Sequence, residues 1–246
     1  MLEACSLNKS FGALQVTRDV TFTVPTGARY GIVGPNGSGK TTLFNLLTGE
    51  ARADTGQVVL DGQDITGFSP DRRARLGLTR SFQKNNLFGN LTAWENLAIA
   101  LTIRNDVGRK LWTRFPYPTG LKDQIERLAE RLGLTAVLHR PAGTLPYGTQ
   151  RQLELGLALA IVPKVLLLDE PTAGMSPDET HAMTVLISSL SRETTLVIIE
   201  HDMAVLHEIA ERMIVLDYGS ILIEGTPQEV RQSEIVRERY FGARAR

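Results

Sequence analysis

Apolar residues follow two different patterns along this chain: short runs bounded by turns in the outer parts, and a helical repeat in the middle. Leu14–Val24 is rich in β-branched residues and ends at a Pro-Thr-Gly turn, which predicts short β-structure. Residues 30–33 form a brief apolar strand. A Gly-rich turn follows, then a helix from about Lys40 to Leu47, with Gly49 as its stop. Residues 57–61 read as a strand running into an Asp-Gly turn. From 85 to 162 the period becomes helical. Residues 91–104 carry it, and 120–134 repeat it with Leu121, Ile125, Leu128 and Leu132 on one face. Between these two segments, 114–120 is a loop with two prolines.

After this helical stretch, the apolar runs 165–168 and 195–200 suit buried parallel strands. Residues 212–225 read as a hairpin turning about 217–220, and 227–240 as a helical tail. Strands alternating with helices indicate a parallel sheet covered on both faces. The expected layout is one α/β domain: a core of 1–84 and 163–246 with a helical lobe, 85–162, inserted in it.

Composition narrows the function classes. Lys and Arg number 27, Asp and Glu 27, so the formal net charge is zero and no nucleic-acid partner is expected. One cysteine, Cys5, excludes an internal disulfide framework and suits a reducing cytosol. The N-terminus has no apolar signal-peptide core, and no run nears the roughly 20 apolar residues of a membrane span. A role at a membrane then requires docking on something else.

Chemistry enters at Gly34-Pro-Asn-Gly-Ser-Gly-Lys40-Thr41, a full G-x-x-x-x-G-K-[ST] match set between a predicted strand and a predicted helix. Glycines let successive N–H groups converge on phosphate oxygens, and the helix adds its positive end. Gly34, Asn36, Gly37, Ser38, Gly39, Lys40, Thr41 and Thr42 are therefore candidate ATP-binding residues. Lys40 would reach the β- and γ-phosphates, and the Thr41 hydroxyl would ligate Mg2+.

Two acids end the apolar run at 165–168. Asp169 fits a Mg2+ contact, direct or through water. Glu170 is placed to polarise a water for in-line attack on the γ-phosphate. His201 follows another buried run and would contact the γ-phosphate side of the site, whereas His139, His181 and His207 have no comparable setting. Gln83, where core meets lobe, reads on its own as a polar boundary residue.

Together these residues resemble the ATPase subunit of an ATP-binding cassette (ABC) transporter. Phe11 in "KSFG", the phosphate loop, Gln83, the region 145–150, "LLLDEP" and His201 occur in the family's order across essentially the whole chain. The resemblance implies a RecA-like P-loop NTPase core with an N-terminal antiparallel β-subdomain and an inserted α-helical subdomain. It implies that Phe11 stacks on adenine, with a core phenylalanine as the alternative, and that Gln83 contacts Mg2+ or the attacking water. It implies two ATPs sandwiched between two cassettes, each signature segment capping the other's phosphate loop. Here that segment is Pro146, Tyr147, Gly148, Thr149 and Gln150, with Pro where the family carries Ser, and Ser176 replaces the usual Asp of "AGMSP". The surviving elements are the bare backbone of Gly148 and the start of a helix expected from 150 to 161, which Thr149 would cap.

Within the family, "LDGQDITGFSPDRRARLGLTRSFQKNNLFGNLTAWENL", "IEHDM" and "EIVRERYFG" look like the ATPases of branched-chain amino acid importers. Urea or short-amide importers share much of this. The ATPase of the lipopolysaccharide exporter is similar but differs before the glutamine, where this chain has Arg80-Ser81-Phe82. A soluble ABC protein of translation or DNA maintenance is the reading from another class, and a single phosphate loop with a short insert speaks against it. The importer reading implies two separate permease subunits, a second ATPase copy or paralogue, an extracytoplasmic solute-binding protein, and a place on the cytoplasmic face of the membrane. Leu87, Phe88, Leu91 and Trp94 are the expected permease contacts, with lobe core as the alternative.

Overall fold

The computed structural model describes residues 1–81, 87–104 and 120–241. The described chain divides into two compact units. Of the described residues, the first holds 1–80, 164–170 and 187–241; the second holds 81, 87–104, 120–163 and 171–186.

The first unit carries two sheets. β1 (Leu2–Phe11) pairs antiparallel with β2 (Leu14–Val24) on one side and β4 (Thr55–Leu60) on the other, and β5 (Gln63–Asp64) closes that sheet. The sequence reading did not single out β1, although it lies inside this sheet. In the second sheet, β3 (Arg29–Val33) sits between β8 (Thr195–Ile199) and β9 (Arg212–Asp217), parallel to both. β7 (Val165–Asp169) extends the sheet to β6 (Leu78–Arg80), and β10 (Ser220–Gly225) returns from β9 as the expected hairpin. Every residue of β3, β7 and β8 is buried, as uninterrupted apolar strands in a parallel sheet require.

Helix α1 (Lys40–Thr48) leaves β3 through the Gly-rich turn and ends at Gly49, whose φ of 83° is the left-handed stop expected there. Leu43, Phe44 and Leu47 of α1 share one core with Leu2 and Phe22 of the first sheet and Val165 and Val197 of the second. Short α2 (Pro70–Arg75) places Arg73 inside this unit, where its guanidinium donates to the carbonyls of Leu46, Leu47, Thr66 and Phe68. Arg73 therefore serves the packing of this unit.

The second unit is built on α3 (Ala93–Arg104), α4 (Leu121–Arg131) and α5 (Tyr147–Ala160). Leu121, Ile125, Leu128 and Leu132 are all buried, the single face that their spacing predicts. Gly156 of α5 lets Leu97 and Leu132 approach so closely that a Cβ there would sit 2.5 Å from a Leu132 methyl. Most of α6 (Pro177–Ser188) belongs to this unit, with 171–176 before it, although the sequence reading gave the whole of 163–246 to the core. The reason is local bonding: Tyr147 Oη donates to Ala173 O (3.1 Å), and Glu179 Oε1 accepts from Gly148 N (3.1 Å). Helices α7 (Met203–Ile209) and α8 (Pro227–Gln232) complete the first unit; the tail breaks at Ser233 rather than running on as one helix.

Candidate nucleotide site

The turn between β3 and α1 is shaped by what cannot fit there. A Cβ on Gly34 would lie 2.3 Å from Leu216 O, and one on Gly39, at φ 101°, 2.6 Å from Val16 O. Only glycine permits both. Gly39 is the N-cap of α1 and offers no side-chain cap, so the helix's positive end stays open to a ligand. Ser38 Oγ is buried in this loop without a hydrogen-bond partner. Lys40 folds back over it, donating from Nζ to Gly34 O (2.8 Å) and Pro35 O (3.0 Å). Burial pulls the Lys40 pKa below its ordinary value, and the nearby Glu170 and Asp169 carboxylates partly oppose that.

Asp169 closes β7 and is buried, while Glu170 turns out of the sheet with φ 49° and its N–H bonded to Ile199 O. A non-glycine residue there is strained by about 1–3 kcal/mol, which the flanking β7–β8 ladder must hold in place. His201, just beyond β8, brings Nε2 to 2.8 Å from Glu170 Oε1. An ionised carboxylate can only accept, so Nε2 carries the proton in that bond. A cleft of about 270 Å3 results, lined by Val16, Asn36, Gly37, Gly39, Lys40, Thr41, Thr42, Glu170 and His201.

Phe11, at the end of β1, is 55% exposed with the Lys9 ammonium 5.4 Å from its ring centroid, so it is no core residue. Gln83 lies outside the described residues. Asp169 does not stand alone at its strand end: Arg80 Nη2 lies 2.5 Å from its Oδ2. The sequence reading used Arg80 only as a marker before Gln83. The pairing of β6 with β7, where Arg80 stands in register with Leu167, brings the two together, and no sequence signal announces it.

The signature segment differs from expectation at its start. Helix α5 begins at Tyr147, with Pro146 as a cap that has no hydroxyl, so Thr149 lies within the first turn and is not the cap. Glu179 does that work from α6, through Gly148 N. A Cβ at residue 148 would lie 2.5 Å from Glu179 Oε1, so a larger residue there would have to displace that carboxylate. The other carboxylate oxygen accepts from Ser176 N and Oγ (2.9 Å each), and Glu179 N donates back to Ser176 Oγ (3.4 Å), which makes a capping box for α6. Gln150 Nε2 donates to Leu145 O (2.8 Å).

The family model described as "ABC transporter" matches residues 17–173, well over half of the chain. The chain belongs to the ABC transporter family. It is an ATPase of that family and is similar over 98% of its length to several ABC proteins. The high-affinity branched-chain amino acid transport ATP-binding protein BraF of Pseudomonas aeruginosa is 36% identical, with 98% of BraF covered. LivG of Escherichia coli, of the same description, is 34% identical with 98% covered. The lipopolysaccharide export system ATP-binding protein LptB of Haemophilus influenzae is 33% identical with 97% covered. Among solved structures, the ATP-binding cassette MJ1267 in its ADP conformation superposes with TM-score 0.87 at 30% identity, over 98% of both chains. The ABC cassette fold accounts for both sheets and the helical unit.

The donor set suits a hard divalent cation, with the exposed Thr41 hydroxyl at the first turn of α1 and the Asp169 carboxylate at the end of β7. No helix among the described residues is long and apolar enough to cross a membrane.

Proposed function

We propose that this chain is the ATP-hydrolysing subunit of an importer for branched-chain or related hydrophobic amino acids, working on the cytoplasmic face of the membrane. The observation that carries the ATPase chemistry is the convergence of Lys40, Glu170 and His201 on one cleft behind the phosphate loop. Lys40 exchanges the carbonyls of Gly34 and Pro35 for the β- and γ-phosphates, where its charge offsets that of the transferring group. The open N-terminus of α1 and the loop N–H groups of 36–39 hold the remaining phosphate oxygens. Glu170 accepts a proton from the attacking water, and His201 fixes the carboxylate's orientation through Nε2. Phe11 offers its exposed face to adenine. Thr41, Asp169 and Gln83 would hold Mg2+, which when bound neutralises developing charge on the β- and γ-oxygens.

The full system needs two permease subunits, a second cassette supplying its signature segment, and an extracytoplasmic binding protein. Phe88 is 54% exposed and offers the permease an apolar contact. The amino acid assignment is supported by the likeness to BraF and LivG. The purified membrane complex tests it: ATPase turnover should rise several-fold with leucine-loaded binding protein and stay basal with a urea-loaded one. Stimulation by urea alone, or by lipopolysaccharide, would assign a different solute.

A further inference from the structure

Arg80 closes β6 with its side chain 8% exposed, and its guanidinium is shared between two acids. Nη2 meets Asp169, whose side chain is fully buried, and Nη1 meets Glu50 at 3.0 Å, a residue whose side chain is 41% exposed. Nη1 also donates to Asn45 Oδ1 (2.6 Å), and the group lies 5.7 Å from the Phe44 ring centroid. A lone ionised carboxylate at the end of a buried strand would be costly, and this cation compensates it. A divalent metal on the same carboxylate must then compete with a resident positive charge.

We infer that Arg80 is a built-in counter-cation of the Mg2+ position, holding Asp169 until the metal arrives and weakening metal binding. The inference rests on the reading of Asp169 as a Mg2+ ligand. Glu50 and Asn45 make the exchange feasible. When Asp169 turns to the metal, Nη1 of the guanidinium keeps one carboxylate and one amide oxygen. Arg80 is thus a positioning residue, acting on the metal through Asp169.

The test is Mn2+ binding to the ADP-loaded protein, followed by electron paramagnetic resonance, in wild type, Arg80→Gln, Arg80→Lys and Asp169→Asn. Removing a charge so near a divalent ion should tighten Mn2+ about tenfold in Arg80→Gln, while Arg80→Lys stays within about threefold of wild type. ADP affinity measured in EDTA, unchanged in both, reports that the loop is intact. Unchanged or weaker Mn2+ binding in Arg80→Gln, or equal tightening in Arg80→Lys, overturns the inference. Should Asp169→Asn bind Mn2+ as wild type does, the metal assignment itself fails, a separate outcome. A second measurement needs no neutral variant. The Arg80 guanidinium 15N signal, identified by its loss in Arg80→Lys, should move when Mg2+ is added to the ADP-loaded wild type, and a stationary signal contradicts the exchange.

Discussion

Glu170 sits in the left-handed region at φ 49°, a conformation that L side chains adopt at a cost of roughly 1–3 kcal/mol. Its place at the end of a buried strand was legible in the sequence, because the apolar run 165–168 closes on two acids. Its strain was not, since backbone dihedrals at a strand end are imposed by the neighbours: here the Ile199 carbonyl takes the Glu170 N–H and His201 takes the side chain. The strain has a measurable consequence. Glu170→Gly should be more stable than Glu170→Ala by about 1 kcal/mol in denaturant titration, because glycine enters that region freely. Equal stability, or a more stable alanine variant, would mean the turn is not strained. Arg80 was the residue the sequence reading undervalued. Nothing in its local pattern announces a partner 89 positions later; only the β6–β7 pairing brings them together.

At the level of elements, β2, α1, the 212–225 hairpin and the buried face of α4 were readable from period and turn chemistry alone. β1 and β6 were not. β1 mixes polar and apolar residues with three register shifts against β2, one of them across a left-handed Ser6, and β6 is too short to show a period. The start of α5 was also misplaced, because the partner of its first N–H groups comes from another helix. Glu179 joins Gly148 N to the Ser176 cap, and those donors (Ser176 N–H, Ser176 hydroxyl, then Gly148 N–H) hold its carboxyl below the usual glutamate range. The sign follows: this tie is complete above the ordinary glutamate value of 4.5 and is lost as pH falls through the lower folded value. It also couples residue 148 to Glu179 within one chain, since a Cβ there would displace that carboxylate. Gly148→Ala should destabilise the protein, Glu179→Ala should loosen the same turn, and the double variant should lose less than the sum, since removing Glu179 removes the clash. Strictly additive melting shifts would place the demand for glycine elsewhere.

For the whole molecule, the ordered set of phosphate loop, "LLLDEP" and His201 was enough to anticipate an ABC cassette, and the matches to BraF, LivG and MJ1267 agree with it. The segment 171–176 belongs to the helical unit rather than the core because its bonds run to Tyr147 and, through Ser176, to Glu179. Sequence proximity to Glu170 hid that allegiance. The molecule therefore connects the proposed general base directly in sequence to a segment fastened to the signature helix. On the proposed mechanism this site hydrolyses ATP with Glu170 as base, facing the signature segment of a second cassette. Glu170→Gln tests it most directly. With Mg2+ and ATP, that variant should release phosphate at least about a hundredfold more slowly than wild type and elute at twice the 27.1 kDa mass with ATP retained. Phosphate release at the wild-type rate from a monomeric Glu170→Gln protein would contradict it.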